Sequence, residues 1–357
     1  MKILQVGNAN FGYVIARELR KRGIESDLLI SKQIISGKGK TVNDPLNLEK
    51  NLSDYPDWVH FYDLQKSGWK TFIIKEMRKY DLIHAYMELP IFAMFSLKPY
   101  VAQSGGDDLR DLAFQNTLRG RLLRMAYKKA KAFVYVWPPH KPYVNKLGIT
   151  NAIYIPRTWD TSNFTYTKYA KNENKHLTIF HPTGQDWEMK GNDKFLRAFV
   201  RLCKEQKDVF LYYVRWGKDA EKADRLLDNP DVKKRMQSVD GPISREKMVE
   251  YMQKSDMLAE QFNSGSFTRT GIESLMFGIP LMVNLDEELH RDLHGEAPPV
   301  INVKNEEAIY EKLSYFINSK DELVAYSEKS NQWGRKHFDL VTNVTKFIQI
   351  YEKIILK

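Results

Sequence analysis

The chain has 357 residues, enough for two domains of ordinary size, and its 43% hydrophobic and 28% charged residues are those of a globular protein. A net charge of +10 and a pI near 9.2 call for an anionic partner, whether nucleotide, anionic lipid surface or nucleic acid. The single cysteine, Cys203, excludes an intrachain disulfide and reads as a small buried hydrophobe.

No apolar run reaches the roughly 18 residues that a membrane span needs. The opening MKILQVGNANFG reads as a strand and turn rather than a signal peptide, so a cytoplasmic location is expected. Lys2–Val6 is followed by a glycine-bearing turn, a helical pattern ending at Gly23 and a strand over 26–30, the first step of a doubly wound sheet. Gly7 and Gly12 do not complete a dinucleotide fingerprint, and no acidic residue follows the second strand. Gly12 is instead expected to let a substrate approach the backbone on the acceptor side. Residues 31–57 are polar and turn-rich and read as a long loop.

Further strands are predicted at 58–62, 81–86, 100–103 and 133–137. The loop Ser104, Gly105, Gly106, Asp107, Asp108 lies at the carboxyl end of one of them, where such sheets bind ligands. Asp108 reads as an N-cap, which leaves Asp107 to take a substrate hydroxyl. Residues 117–131 form a basic helix with the apolar stripe Leu118, Leu122, Met125 and Ala126. Its charged face is either simply solvated or makes peripheral contact with an anionic membrane.

After a strand at 152–156 comes a polar, aromatic stretch that reads as a linker over 161–176. The alternation restarts with strands at 177–183, 209–216, 257–262, 279–285 and 300–303. The expected organisation is a first α/β domain over 1–160, a second over 177–335, and a C-terminal helix over 336–357 packing back on the first. That helix must bury a stripe containing Val344, Phe347, Ile348, Tyr351, Ile354 and Ile355.

The stretch 261–280, QFNSGSFTRTGIESLMFGIP, is a small-residue, hydroxyl-rich turn opening a short helix. Free backbone N–H groups at a helix start make a phosphate site. A Thr270-x-x-Glu273 capping box is the structural alternative.

Four stretches together resemble the nucleotide-sugar glycosyltransferases of the GT-B fold, particularly the large retaining group called family 4. IPRTWDTSNF at 155–164 resembles the interdomain segment IPNGVDTxxF, and TGQDWEMKG at 183–191 is similar to the diphosphate-gripping G-R-x4-K-G loop. Residues 248–262 resemble the helix and strand before the donor site, and GIESLMFGIP at 271–280 resembles x-x-E-A-M-A-x-G-x-P. The resemblance implies two Rossmann-like domains facing across a cleft, with UDP- or GDP-sugar as co-substrate and no cofactor. It implies a donor site of Gly184, Gln185, Lys190, Gly265, Ser266, Phe267, Thr268, Arg269, Thr270 and Glu273. Lys190 would neutralise the diphosphate, with backbone N–H groups of 266–270 as further donors; Glu273 would accept the ribose hydroxyls. Gly105, Gly106 and Asp107 fall on the acceptor side, with Asp107 orienting sugar or acceptor near the reacting centre.

The chain departs from the pattern in three places. Gly265 replaces the first of two paired glutamates, Gln185 replaces the usual diphosphate arginine, and Ser104 stands where many members place a histidine. No Cys/His ligand spacing or Asp-x-Asp tract appears, so a metal-free mechanism is expected. His84 and His181 read as packing residues rather than catalysts. The expected activity is transfer of a sugar to a glycan or lipid-linked acceptor. The competing reading is a catalytically silent sugar-nucleotide or glycan binding protein, and nucleic-acid binding lacks any module.

Overall fold

The computed structural model describes residues 1–7, 9–33, 55–158 and 175–356. Most of the predicted loop at 31–57 and nearly all of the predicted linker at 161–176 lie outside the described residues, as does the second half of the 155–164 motif. The chain divides into two compact units, Met1–Asp160 with Asp339–Lys357, and Thr161–Phe338.

The first unit is a seven-stranded parallel sheet in the order β3-β2-β1-β4-β5-β6-β7. Its strands are β1 (Lys2–Val6), β2 (Glu25–Ser31), β3 (Val59–Tyr62), β4 (Leu82–Tyr86), β5 (Tyr100–Gln103), β6 (Ala132–Tyr135) and β7 (Ala152–Tyr154). Ile3 pairs with both Ser26 and Leu82, so β1 is the strand from which the order runs both ways. Strands β4, β5 and β6 are buried along their whole length, as expected of a parallel sheet covered on both faces.

The C-terminal helix Leu340–Ile355 belongs to this unit. Its Val344, Phe347 and Tyr351 are fully buried in the core that also holds Ile3, Ile15 and Leu82, while Ile355 stays 38% exposed. The Tyr351 hydroxyl lies 2.6 Å from His84 Nδ1, inside the same core. Burial pushes His84 down to about 3, so the imidazole is neutral and serves packing.

The second unit is a six-stranded parallel sheet in the order β10-β9-β8-β11-β12-β13. Its strands are β8 (Leu177–His181), β9 (Val209–Arg215), β10 (Met236–Asp240), β11 (Met257–Ala259), β12 (Leu281–Val283) and β13 (Ile301–Asn302). Both units are therefore doubly wound α/β sheets. Sequence reading finds all of these strands except β10, whose residues are half-buried or exposed at the sheet edge and carry no apolar run. Cys203 is buried in the core of this unit, as expected. No helix among the described residues is long and apolar enough to cross a membrane.

Two sequence expectations in the first unit are corrected. Gly12 lies inside the helix Ala9–Lys21, and a Cβ there would come within 2.9 Å of Leu28 Cδ1 and 3.4 Å of Tyr86. Its role is close packing of helix on sheet, facing protein on that side. In the helix Leu118–Lys129 the buried face is Gly120, Leu123, Ala126 and Tyr127, whereas Leu118 of the predicted stripe is 74% exposed. The covered face carries Tyr127, whose hydroxyl reaches inward to donate to the Asp108 carboxylate at 2.6 Å and lies 3.0 Å from the Met87 carbonyl.

Candidate functional site

In the second unit the strand order reverses between β8 and β11, and a doubly wound sheet binds ligands outside the carboxyl ends of its strands at that point. The loops after β8 and β11 are stitched together there. Phe262 N donates to Lys190 O at 2.5 Å, and the Asn263 amide donates to the carbonyls of Trp187 and Glu188 at 3.2 and 2.9 Å. These contacts bring together Gly184, Gln185 and Lys190 from one loop with 265–270 from the other.

Lys190 ends a one-turn helix, Trp187–Lys190, capped by the Asp186 carboxylate accepting from Met189 N. Its ammonium donates to the Gly184 carbonyl at 3.3 Å and lies 5.7 Å from the Trp216 ring centre. Burial lowers its pKa, with Glu260 and Asp186 pulling the other way. A half-buried ammonium of this kind is short of solvation and suited to an incoming anion.

The helix Arg269–Phe277 opens at the other side of the junction. Its N-cap is Thr268, whose hydroxyl accepts from Thr270 N at 3.3 Å. The alternative reading of a Thr270–Glu273 capping box is thus not met, because Thr270 already lies within the helix. Glu260, fully buried at the end of β11, fills the helix start instead. Both of its carboxylate oxygens accept from Thr268 N, at 3.0 and 2.9 Å, and Oε1 also accepts from the Thr268 hydroxyl and from Gly271 N at 3.2 Å. Gly271 must be glycine for this, since a Cβ would meet Phe267 Cβ at 2.5 Å and Glu260 Oε2 at 2.9 Å. Burial raises the Glu260 pKa against these hydrogen bonds and the pull of Lys190. Of the N–H groups expected to face a phosphate at 266–270, those of Thr268 and Thr270 are therefore already taken.

Glu273 follows one turn into this helix and is 6% exposed. Two guanidinium groups flank it, Arg269 Nε and Arg245 Nη2, each 3.8 Å from Oε1. Arg245 is the functional candidate that sequence reading misses. It is the first residue of the helix Arg245–Gln253, after the N-cap Ser244. A cation at a helix start opposes the helix dipole, which marks Arg245 as locally unfavourable, but nothing in the local sequence places it beside Glu273.

Other predicted donor residues turn away from solvent. The Gln185 side chain is fully buried, 3.0 Å from His181 Nε2 and 3.3 Å from the Thr183 carbonyl, so it braces the loop from beneath. His181 shares that role; its Nδ1 lies 2.8 Å from Ala259 O, and burial pushes it down to about 4. Phe267 packs edge-on against Trp333 and Phe338 with ring centres 6.4 and 6.0 Å away, and Ser266 is also buried. Gly265 takes φ 67, and its carbonyl accepts from Asp286 N at 2.8 Å.

In the first unit the 104–108 loop follows β5. Asp108 is not an N-cap: its carboxylate folds back onto Gly105 N at 2.9 Å and Gly106 N at 2.6 Å and accepts from the Tyr127 hydroxyl at 2.6 Å. Desolvation raises its pKa against those bonds. Asp107 is exposed and pairs with Arg110, so it is less available to substrate than its sequence position implies.

No protein-family model and no curated protein sequence matches the chain. Solved structures do. HepE from Anabaena in complex with UDP aligns at a TM-score of 0.73 and 14% identity over 99% of this chain and 100% of that one. A glycosyltransferase from Rickettsia africae aligns at 0.68 and 17% over 100% and 98%. Sucrose-phosphate synthase from Thermosynechococcus elongatus aligns at 0.70 and 11% over 100% of both chains. At such identities the likeness establishes the fold: two Rossmann-like units of the GT-B class.

Proposed function

We propose that the chain is a glycosyltransferase moving a sugar from a UDP- or GDP-sugar to a hydroxyl of a glycan or lipid-linked acceptor, with retention and without a metal ion. The observation that carries this is the loop junction of the second unit, where Lys190, Arg245 and Arg269 gather around the buried carboxylates Glu260 and Glu273. Structures sharing the fold add support, since HepE is described in complex with UDP and with UDP-glucose.

In this reading Lys190 and the two arginines neutralise the diphosphate, and Glu273, positioned by its guanidinium neighbours, accepts the ribose hydroxyls. The acceptor oxygen bonds to the anomeric carbon as that carbon's bond to the diphosphate oxygen breaks. The electron pair leaves with the diphosphate, and the acceptor's proton passes to a phosphate oxygen. Cations aimed at the departing diphosphate stabilise charge that grows in the transition state, which is where binding energy accelerates reaction.

Incubation with separate nucleotide-sugars, scored by nucleotide release, tests the proposal. Release with one donor and a matching acceptor is expected; silence with every donor across a broad acceptor panel contradicts it. A second reading, a sugar-nucleotide binding protein without turnover, is favoured by the inward Gln185 side chain and by Gly265 in place of a glutamate. Donor binding by calorimetry with no release under any acceptor would select it.

A further inference from the structure

We infer that the acceptor is carried on an anionic lipid whose hydrocarbon chain lies in an apolar groove of the first unit, an inference that rests on the transfer proposed above. The groove has a volume of about 850 Å³ and runs among the helices Trp69–Met77, Pro90–Ser96 and Leu118–Lys129. That size falls in the range of about 300–1,000 Å³ typical of sites that enclose a small ligand.

Its floor is formed by Gly7 and the buried Tyr86, at the carboxyl ends of β1 and β4, where the strand order of this sheet reverses, and Met87, 46% exposed, stands beside them. Met87 holds φ 57 and donates its N–H to Gln103 O at 2.8 Å, and a Cβ on Gly105 would come within 2.9 Å of Met87 Cγ. The groove thus begins beside the loop that carries Asp107 and leads away from it. Its outer end is bordered by Leu64, Phe95 and Leu118, which are 43%, 49% and 74% exposed. Large apolar side chains gathered on one groove, rather than scattered, mark a surface that something apolar covers.

Charge selects the occupant. The helix Leu118–Lys129 carries Arg119, Arg121, Arg124, Lys128 and Lys129 and no acidic residue, and the helix Pro90–Ser96 carries no charge. Lys70 and Arg119 stand at the groove itself, with Glu88 pairing Arg119. A hydrocarbon chain fills the trough, and a phosphate head group meets the cations beside it. A glycan alone would leave the trough wet and would not draw on the cationic face of the helix Leu118–Lys129.

The test titrates the whole protein, without donor, with monomeric alkyl phosphates of increasing chain length, with the corresponding alcohols and with inorganic phosphate. Intrinsic fluorescence gives the signal, and Trp69→Phe is expected to reduce it, since Trp69 lines the groove. The expected affinity rises about fourfold per methylene until the groove is full and then levels off. Alkyl phosphate should bind at least tenfold tighter than the alcohol, and inorganic phosphate should bind far more weakly than either. The double substitution Phe95→Glu with Leu118→Glu, at exposed positions, should weaken binding at least tenfold with an unchanged melting temperature and unchanged donor binding. Affinity independent of chain length, equal affinity for alcohol and phosphate, or indifference to the double substitution would overturn the inference. Adsorption to phosphatidylglycerol vesicles without uptake of monomer would overturn it as well. Donor binding and nucleotide release are measured separately, so failure in the groove leaves the proposed transfer standing, and failure of transfer leaves the groove's result readable.

Discussion

Replacing Lys190 with methionine removes one charge while keeping an apolar stem beside the Trp216 ring. A unit charge about 4 Å from a phosphate oxygen is worth roughly 4 kcal/mol at the effective dielectric of about 20 that suits protein sites. Lys190 is half-buried, and Glu260 and Asp186 already draw on its charge. Discounting by about a third to a half for solvent and those neighbours leaves about 2–3 kcal/mol, or a weakening of roughly 10²-fold. The fold should not suffer, because burial of the ammonium is itself unfavourable and its hydrogen bond to Gly184 O is a long 3.3 Å. Calorimetric titration with the productive nucleotide-sugar, alongside thermal melts of both proteins, measures the two quantities. A loss below threefold with an intact fold would refute the assignment of Lys190 to the diphosphate.

Arg245→Ala should weaken the same binding by about tenfold, read by the same titration, because it removes one of two cations beside Glu273 while leaving its helix cap in place. In the second unit Lys320 pairs with the fully buried Asp256 at 3.0 Å, and Asp256 also accepts from Thr178 N at 2.7 Å. Lys320→Met should therefore destabilise this unit by about 3–5 kcal/mol in urea unfolding, with part of the loss recovered by adding Asp256→Asn. Burial lowers His84 to about 3 and His140, His181 and His290 each to about 4, so the folded protein holds them neutral. The unfolded chain takes up those protons below about pH 6.5, so stability is full above that pH and falls as pH drops toward 4. The expected loss is about 2 kcal/mol per histidine at pH 5, seen as a lower urea midpoint than at pH 7.5; equal midpoints would contradict it.

The doubly wound architecture is legible in the sequence because buried parallel strands are nearly continuous apolar runs, as in Ile83 to Tyr86 and Leu177 to Phe180. Strand β10 is hidden because an exposed edge strand needs no such run. Lys190 and Glu273 are legible because each sits in a short motif with a glycine at a fixed offset. Arg245 is not, because only the parallel crossover brings the start of its helix to Glu273, and no local pattern encodes that meeting. Residue type alone also fails to tell which side chains of a loop face out: Gln185, in a matched segment, and Phe267, in the turn before the donor helix, both point inward, toward His181 and Trp333. Glu260 shows the same limit from the other side. Its place before a turn of small residues does not reveal that its carboxylate holds the start of the helix.

A nucleotide-sugar seated at the loop junction of the second unit is what every step of the proposed transfer requires. A structure of the protein solved with saturating donor tests that most directly. The predicted result places the diphosphate within hydrogen-bond distance of Lys190 and at least one of Arg245 and Arg269, with the ribose hydroxyls on Glu273. A nucleotide bound elsewhere, or no nucleotide at saturating donor, would contradict it.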